Sequence, residues 1–326
     1  MSLLQLTSRG IYCHVADVYL DPIQKVSNAV ISHGHGDHIK AGCKNYLCTE
    51  SALPVIQHRL ANPDAVFQGI PYGKSVYING VRFSFHPAGH IIGSAQIRVE
   101  YQSEVWVYTG DFKIENDGLA EEFEPVHCNH LITESTFGLP LFRWKKQESV
   151  YNEINQWWAE NRKNGITSVI SAYALGKAQR LIHGLNTSIG PVICHATIQQ
   201  THQIIRNQGF SLPNTYSFNR QTPKELTKGA LVIAPPPVCE GSWINKFAPF
   251  EIASVSGWMT LEKRRISGQH KKSFVLSDHA DWDALNNAVE YAGAENIYTT
   301  HGYVDQFARH LSGKGYNAQV LEMNVL

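Results

Sequence analysis

Apolar and polar residues alternate in short runs over the first third of the chain. Gly10-Ile11-Tyr12-Cys13-His14-Val15 and Val18-Tyr19-Leu20 have the period of two that a half-buried strand requires. Ala29-Val30-Ile31-Ser32 is a continuous apolar run, which suits a strand covered on both faces. The segment 76–85 predicts a hairpin turning at Asn79-Gly80, since a two-residue turn needs the positive φ that these residues tolerate. Segments 95–101 and 105–109 predict a second hairpin, and Leu131-Ile132-Thr133 a further buried strand.

The middle of the chain changes period. Val150, Ile154, Trp157 and Trp158 lie at helical spacing and predict an amphipathic helix over 148–161. A strand at 168–171 leads through a turn into a helix within 173–182. Strands at 191–194 and 230–234 follow. Alternating strands and helices predict βαβ units and a parallel sheet. Near the end, strands at 273–277 and 296–300 enclose a helix over 281–292. The chain has no repeat, low-complexity tract or long linker.

Composition narrows the class. Of 326 residues, 43 % are hydrophobic and 17 % charged, which describes a globular protein rather than a disordered one. Met1-Ser2-Leu3-Leu4-Gln5 lacks a basic region followed by a long apolar run, so no signal peptide is expected. No apolar stretch approaches the roughly 20 residues of a membrane span. Cysteines at 13, 43, 48, 128, 194 and 239 form no Cys-x-x-Cys pair and read as reduced, buried thiols of a cytoplasmic protein. Lys plus Arg and Asp plus Glu each total 28, so the net charge is zero. That argues against a sequence-independent nucleic-acid coat and leaves room for a local basic patch.

The 16 histidines change the picture. His33-Gly34-His35-Gly36-Asp37-His38 follows the buried strand directly and places four ligand side chains within six residues. On an extended loop, His33 and His35 point to one side, and Asp37 and His38 can turn to a second point. Two metal ions about 3.5–4 Å apart need such a divided ligand set. His90, in Pro87-Ala88-Gly89-His90, and Asp111, in Gly110-Asp111-Phe112, also follow strands. They supply a further imidazole and a carboxylate able to bridge two ions. His301-Gly302 supplies a last imidazole. Imidazole and carboxylate without thiolate suit Zn²⁺ best, with Mn²⁺ or Fe²⁺ as alternatives.

The pattern His-x-His-x-Asp-His, then His90, then Asp111, resembles the metallo-β-lactamase superfamily. Glu134 in Thr133-Glu134-Ser135-Thr136-Phe137-Gly138, His279 in Ser277-Asp278-His279-Ala280-Asp281, and His301 resemble the added motifs of its β-CASP nucleases. That branch includes messenger-RNA 3′-end processing endonucleases, ribonuclease J and Artemis-type repair nucleases. The resemblance implies an α/β fold, a metallo-β-lactamase αββα sandwich with an inserted α/β β-CASP domain. It implies a metallo-β-lactamase domain over 1–136 plus 266–326, with the insert over 137–265. Leu4 to Asp21, Pro71-Tyr72-Gly73, His86 to Ser94, Ile132 to Pro140 and Tyr173 to Leu181 also resemble the short bacterial ligase-associated DNA exonucleases, over essentially the whole chain.

What the resemblance implies is concrete. One divalent ion would be held by His33, His35 and His90, and a second by Asp37, His38 and His301, with Asp111 bridging. A hydroxide between the ions would attack phosphorus, with Asp37, Glu134 and His279 as the catalytic side chains. His279, oriented by Glu134, would protonate the leaving group. From the residues alone, Ser277-Asp278-His279 can equally cap the helix near Asp281, and Glu134 can be a turn residue. The implied substrate is DNA, with RNA as the alternative because RNA-processing members also carry His at the position of His301. An ATP-dependent DNA ligase and a helicase are the implied functional partners, and no membrane is involved. Tyr173, Lys177, Arg264 and Arg265 are the expected substrate contacts. Basic clusters at Arg143, Lys145 and Lys146 and at Lys263, Arg264, Arg265, Lys271 and Lys272 flank the Glu134 and His279 motifs, and Trp144, Trp157, Trp158, Trp243, Trp258 and Trp282 are candidate base-stacking rings.

Overall fold

The computed structural model describes residues 2–219, 222–261 and 270–323. The chain forms two units, Met1–Arg143 with His279–Leu326, and Trp144–Asp278.

In the first unit, six strands lie side by side in chain order. They are β1 (Leu4–Thr7), β2 (Gly10–Cys13), β3 (Val18–Leu20), β4 (Asn28–Val30), β5 (Asn45–Thr49) and β6 (Val66–Ile70). A second sheet holds β7 (Ser75–Ile78), β8 (Val81–Pro87), β9 (Ala95–Tyr101), β10 (Glu104–Tyr108), β11 (His130–Ser135), β18 (Asn296–Gly302) and β19 (Asn317–Val320). Its order is β19-β18-β11-β10-β9-β8-β7. The expected hairpin turn at Asn79-Gly80 forms with φ of 49° and 81°.

Side-chain alternation decides the layers. Val30 and Leu47 of the first sheet share a core with Phe83, Phe85, Ile97, Trp106, Tyr108 and Ile132 of the second. Their neighbours point the other way. Ala29, Tyr46 and Cys48 pack with Ile56 of α1 (Leu53–Leu60). Val107, Leu131 and Ile297 pack with Leu285 and Val289 of α7 (Trp282–Ala292) and Phe307 and Leu311 of α8 (Val304–Gly313). Both sheets are therefore covered on both faces, in a helix–sheet–sheet–helix stack.

The second unit is a six-stranded sheet of β12 (Thr167–Ser171), β13 (Val192–Cys194), β14 (Tyr216–Ser217), β15 (Leu231–Ala234), β16 (Phe250–Val255) and β17 (His270–Phe274). The order is β14-β13-β15-β12-β16-β17, with every pairing parallel. Helices α2 (Gln147–Lys163), α3 (Lys177–Gly184) and α4 (Ala196–Asn207) and the short α5 (Lys224–Thr227) and α6 (Pro236–Cys239) connect the strands. Trp157 and Trp158 of α2 pack on Ile170 and Leu181. This unit, Trp144–Asp278, overlaps most of the 137–265 expected for the insert. Phe137 and Phe142 meet edge to face within the first unit, and β17 extends the second unit's sheet by pairing with β16. The strand expected at 273–277 ends at Phe274. Among the described residues no helix is long and apolar enough to cross a membrane.

Lys177 corrects an expectation. It is buried inside the second unit, where its Nζ lies 2.9 Å from Asp278 Oδ1 and donates to the Leu276 carbonyl at 2.8 Å. Arg180 Nη1 reaches the same Asp278 oxygen at 2.9 Å. The ammonium expected at a substrate phosphate is thus engaged in an internal ion network. Asp278→Ala would leave two buried cations without this carboxylate, so we expect a loss of roughly 3–5 kcal/mol of stability, read as a lower midpoint in urea unfolding.

The first unit has its own tight point. Gly110 has φ 55°, and a Cβ there would sit 2.7 Å from Ser32 Cβ. This close approach brings the loop after β4 against the loop after β10. Gly110→Ala should cost about 1–3 kcal/mol from backbone strain alone, measurable as a reduced thermal midpoint; an unchanged midpoint would show that the approach is unimportant.

Candidate metal centre

Ile31 donates its N–H to the Leu47 carbonyl at 2.8 Å, still within the first sheet's register. One residue later the Ser32 carbonyl accepts from Ala95 N of β9 at 2.9 Å. The chain thus crosses from one sheet to the other just before His33, and the His33–His38 loop lies where the strand ends of both sheets meet. His90 sits between β8 and β9, Asp111 just past β10, Glu134 within β11, and His279 just before α7.

Three imidazole nitrogens converge. His35 Nδ1 lies 3.1 Å from His33 Nε2 and 3.1 Å from His90 Nε2. Asp111 Oδ2 lies 3.6 Å from His33 Nε2 and 3.8 Å from His90 Nε2. These four side chains have ligand atoms within 4.8 Å of one another. Tetrahedral coordination with bonds near 2.0–2.1 Å places neighbouring nitrogens about 3.3 Å apart. The spacing and the donor types therefore fit a divalent cation.

His38 is the second observation. Its Nδ1 lies 2.7 Å from Asp21 Oδ2, and a carboxylate only accepts, so the Nδ1–H donates. Nε2 is buried without a hydrogen-bond partner, 3.4 Å from Asp111 Oδ2 and 3.8 Å from Asp37 Oδ2. Because Nδ1 keeps its proton on Asp21, Nε2 beside the carboxylate is the ring nitrogen that becomes a ligand atom when its own proton is displaced by a cation. Asp21 also accepts from Ser32 N at 2.7 Å and from Ser32 Oγ at 2.5 Å. Ser32 Oγ in turn lies 3.0 Å from His33 Nδ1. With its own proton committed to Asp21, it accepts from that nitrogen, which turns the lone pair of His33 Nε2 toward the cluster.

Charge follows burial. Burial pushes His33 well below the ordinary imidazole range, and the charge of His38 adds to the effect. Burial acts the same way on His38, but Asp111 and Asp21 outweigh it and hold its pKa well above normal. For Asp111, burial would raise the pKa; His38 and His279 outweigh it and keep the carboxylate ionised.

Glu134, fully buried at 0 % exposure, is no turn residue. Its Oε1 accepts from Phe112 N at 2.7 Å, and its two oxygens lie 3.2 and 3.0 Å from His279 Nδ1. His279 Nδ1 is 4.0 Å from Asp111 Oδ2. The cap of α7 is Asp281, whose side chain accepts from Ala284 N, so His279 does not serve as that cap.

Other expected residues are not gathered in this way. The Asp37 side chain is 74 % exposed, and His301, also exposed, stacks on His38 with ring centroids 5.3 Å apart. Neither belongs to a close ligand group among the described residues, and no cysteine does. Tyr173 is an exposed side chain of the second unit. Lys263, Arg264 and Arg265 lie outside the described residues. Arg143 is engaged with Asp283 at 2.8 and 3.1 Å, and Lys145 with Glu153 at 3.1 Å. Trp157, Trp158 and Trp282 are buried and pack in the cores. Asp21 is the residue that sequence reasoning missed. It follows β3 and precedes Pro22 at φ 40°, a strand-end carboxylate of the same kind as Asp111.

No family model matches the chain. Among proteins, it is 29 % identical over 313 residues to a probable DNA ligase of Opitutus terrae, covering 95 % of this chain and 30 % of that protein. It is 27 % identical over 192 residues to an RNase J-like protein of Methanocaldococcus jannaschii, covering 50 % of this chain and 44 % of the relative. It is 35 % identical over 107 residues to cleavage and polyadenylation specificity factor 73 of Drosophila melanogaster, covering 32 % of this chain and 15 % of that one. The chain thus spans less than half the length of these relatives. Among solved structures, a protein of unknown function from Enterococcus faecalis V583 has a similar fold, with a TM-score of 0.58 at 12 % identity over 85 % of this chain and 76 % of that one. Taken with the His-x-His-x-Asp-His loop, His90 and Asp111 gathered at the strand ends, these similarities are consistent with the metallo-β-lactamase superfamily and its β-CASP branch.

Proposed function

We propose that this chain is a metal-dependent DNA exonuclease that hydrolyses phosphodiester bonds during repair or end processing. The observation that carries the reading is the convergence of His33, His35, His90 and Asp111 beside the orphaned nitrogen of His38, with the Glu134–His279 pair next to the same carboxylate. His33, His35 and His90 would hold one divalent cation, Zn²⁺ in first place and Mn²⁺ as the alternative. Asp37, His38 and His301 would hold a second, with Asp111 shared. When bound, such ions lower the pKa of water from about 15.7 to near 7 and offset the charge developing on phosphorus.

The chain's own residues supply the rest. Asp21 fixes the tautomer of His38. Glu134 holds His279 by Nδ1, so the proton given to the leaving oxygen comes from Nε2. DNA as substrate is supported by the relative named a probable DNA ligase, which includes a segment similar to 95 % of this chain. On this reading an ATP-dependent DNA ligase and a helicase are the functional partners. The six free cysteines fit the reducing cytoplasm. The domain reading is a metallo-β-lactamase domain with the parallel-sheet unit as its β-CASP insert. A ribonuclease reading is favoured by the RNase J-like relative and by His301 stacked on His38.

The test compares labelled linear and circular single strands of DNA and RNA, with Zn²⁺ or Mn²⁺ added. We expect the linear DNA to be degraded and the circle, which has no end, to survive. Cutting of the circle would show endonuclease action, and hydrolysis of RNA alone would establish the ribonuclease reading. His279→Ala should reduce turnover by at least about 100-fold while metal content, measured by elemental analysis, stays at the wild-type value. Loss of a metal from that variant, or wild-type turnover, would remove His279 from the proton-donor role.

A further inference from the structure

Arg59 stands in the last turn of α1, and its guanidinium reaches the histidine loop. A Cβ built on Gly36 would lie 3.6 Å from Arg59 Nη2, so this cation rests against the residue between His35 and Asp37. The charge that acts on it is the Asp37 carboxylate, yet the two are not within ion-pair distance. Burial lowers the guanidinium's pKa from its ordinary value, and Asp37 partly offsets this; arginine remains protonated regardless. Among the described residues Arg59 has neither an ion-pair nor a hydrogen-bond partner, whereas Arg82, Arg98, Arg143 and Arg180 each have one.

A helix C-terminus by itself favours a cation, and His58 and Arg59 both occupy that last turn. That effect explains a positive residue on α1. It does not explain why a five-donor fork is set against a glycine of the ligand loop with its donors uncommitted. The neighbouring Asp37 is committed elsewhere if it holds a metal, which leaves Arg59 as an unneutralised cation at the rim of the centre. A planar fork of this kind recognises phosphate oxygens in pairs.

We propose that Arg59 is a substrate-binding residue that grips a backbone phosphate of the nucleic-acid strand next to the bond being hydrolysed. This rests on the nuclease reading for the chemistry at the centre, but the contact itself concerns binding. Arg59 positions the strand against the His33–Asp111 cluster and takes no part in bond breaking, so its removal should weaken binding more than turnover. Arg59→Lys keeps the charge and loses the fork.

The experiment uses the full chain and a 5′-labelled single-stranded DNA oligonucleotide. Fluorescence anisotropy gives Kd over a salt series for metal-chelated protein, and kinetics with Zn²⁺ or Mn²⁺ give KM and kcat. Relative to wild type, Arg59→Ala should raise Kd and KM about tenfold, leave kcat within about twofold, and flatten the log Kd against log salt slope by about 0.7, one phosphate contact on a single strand. Arg59→Lys should keep the slope and recover only part of the affinity. Metal content and thermal midpoint should stay at the wild-type values for both. An unchanged Kd and slope with a lower thermal midpoint would assign Arg59 to the helix end and overturn the proposal. Loss of metal from Arg59→Ala would do the same. If wild-type protein binds the strand but cleaves neither DNA nor RNA, the nuclease reading fails while the slope comparison still decides Arg59. If it binds no strand, both fall.

Discussion

Asp111 Oδ2 lies within 4.0 Å of imidazole nitrogens from four histidines, His38, His33, His90 and His279. These come from the loop after β4, the loop after β8 and the segment before α7, so one oxygen atom joins parts of the chain that are far apart in sequence. The side chain is buried, and an unpaired carboxylate in that position would be costly. His38 and His279 keep it ionised instead. The first unit thus holds a fixed negative charge inside a ring of imidazoles, an arrangement in which a cation is the natural complement.

The two sheets make that concentration possible. Their inward faces are apolar and close-packed, so the polar groups collect where the strands end. A second rank of carboxylates then orients the first. Asp21 aligns His38 and, through Ser32, His33; Glu134 aligns His279 while bound to the backbone of Phe112. Neither carboxylate is exposed, and each orients an imidazole by accepting a hydrogen bond from one ring nitrogen so that the other faces the centre.

Much of this was legible in the sequence because local chemistry wrote it there. The run from His33 to His38 after an apolar strand, the strand-end positions of His90 and Asp111, and the Asn79-Gly80 hairpin all depend on residues close together in the chain. The parts that were not legible depend on distant partners. Asp21 is an ordinary acid until β3 and β4 pair in parallel and bring it to Ser32 and His38. Lys177 has the look of a phosphate ligand at a helix start until the segment after β17, carrying Leu276 and Asp278, returns beside α3. Helices α1, α4 and α8 escaped notice because their buried faces are narrow: α4, for example, buries only Ile198, Thr201, His202 and Ile205. Edge strands such as β14, with both residues exposed, carry almost no apolar period to read.

The imidazole–carboxylate cluster has the donor set and spacing of a divalent-cation site. Anomalous diffraction at the zinc edge, from crystals grown with Zn²⁺, tests it most directly. Two peaks are expected, one bounded by His33, His35, His90 and Asp111 and the other against His38 and Asp111. A single peak with all ligands intact would contradict the two-metal arrangement, and zinc bound only elsewhere would contradict the site itself.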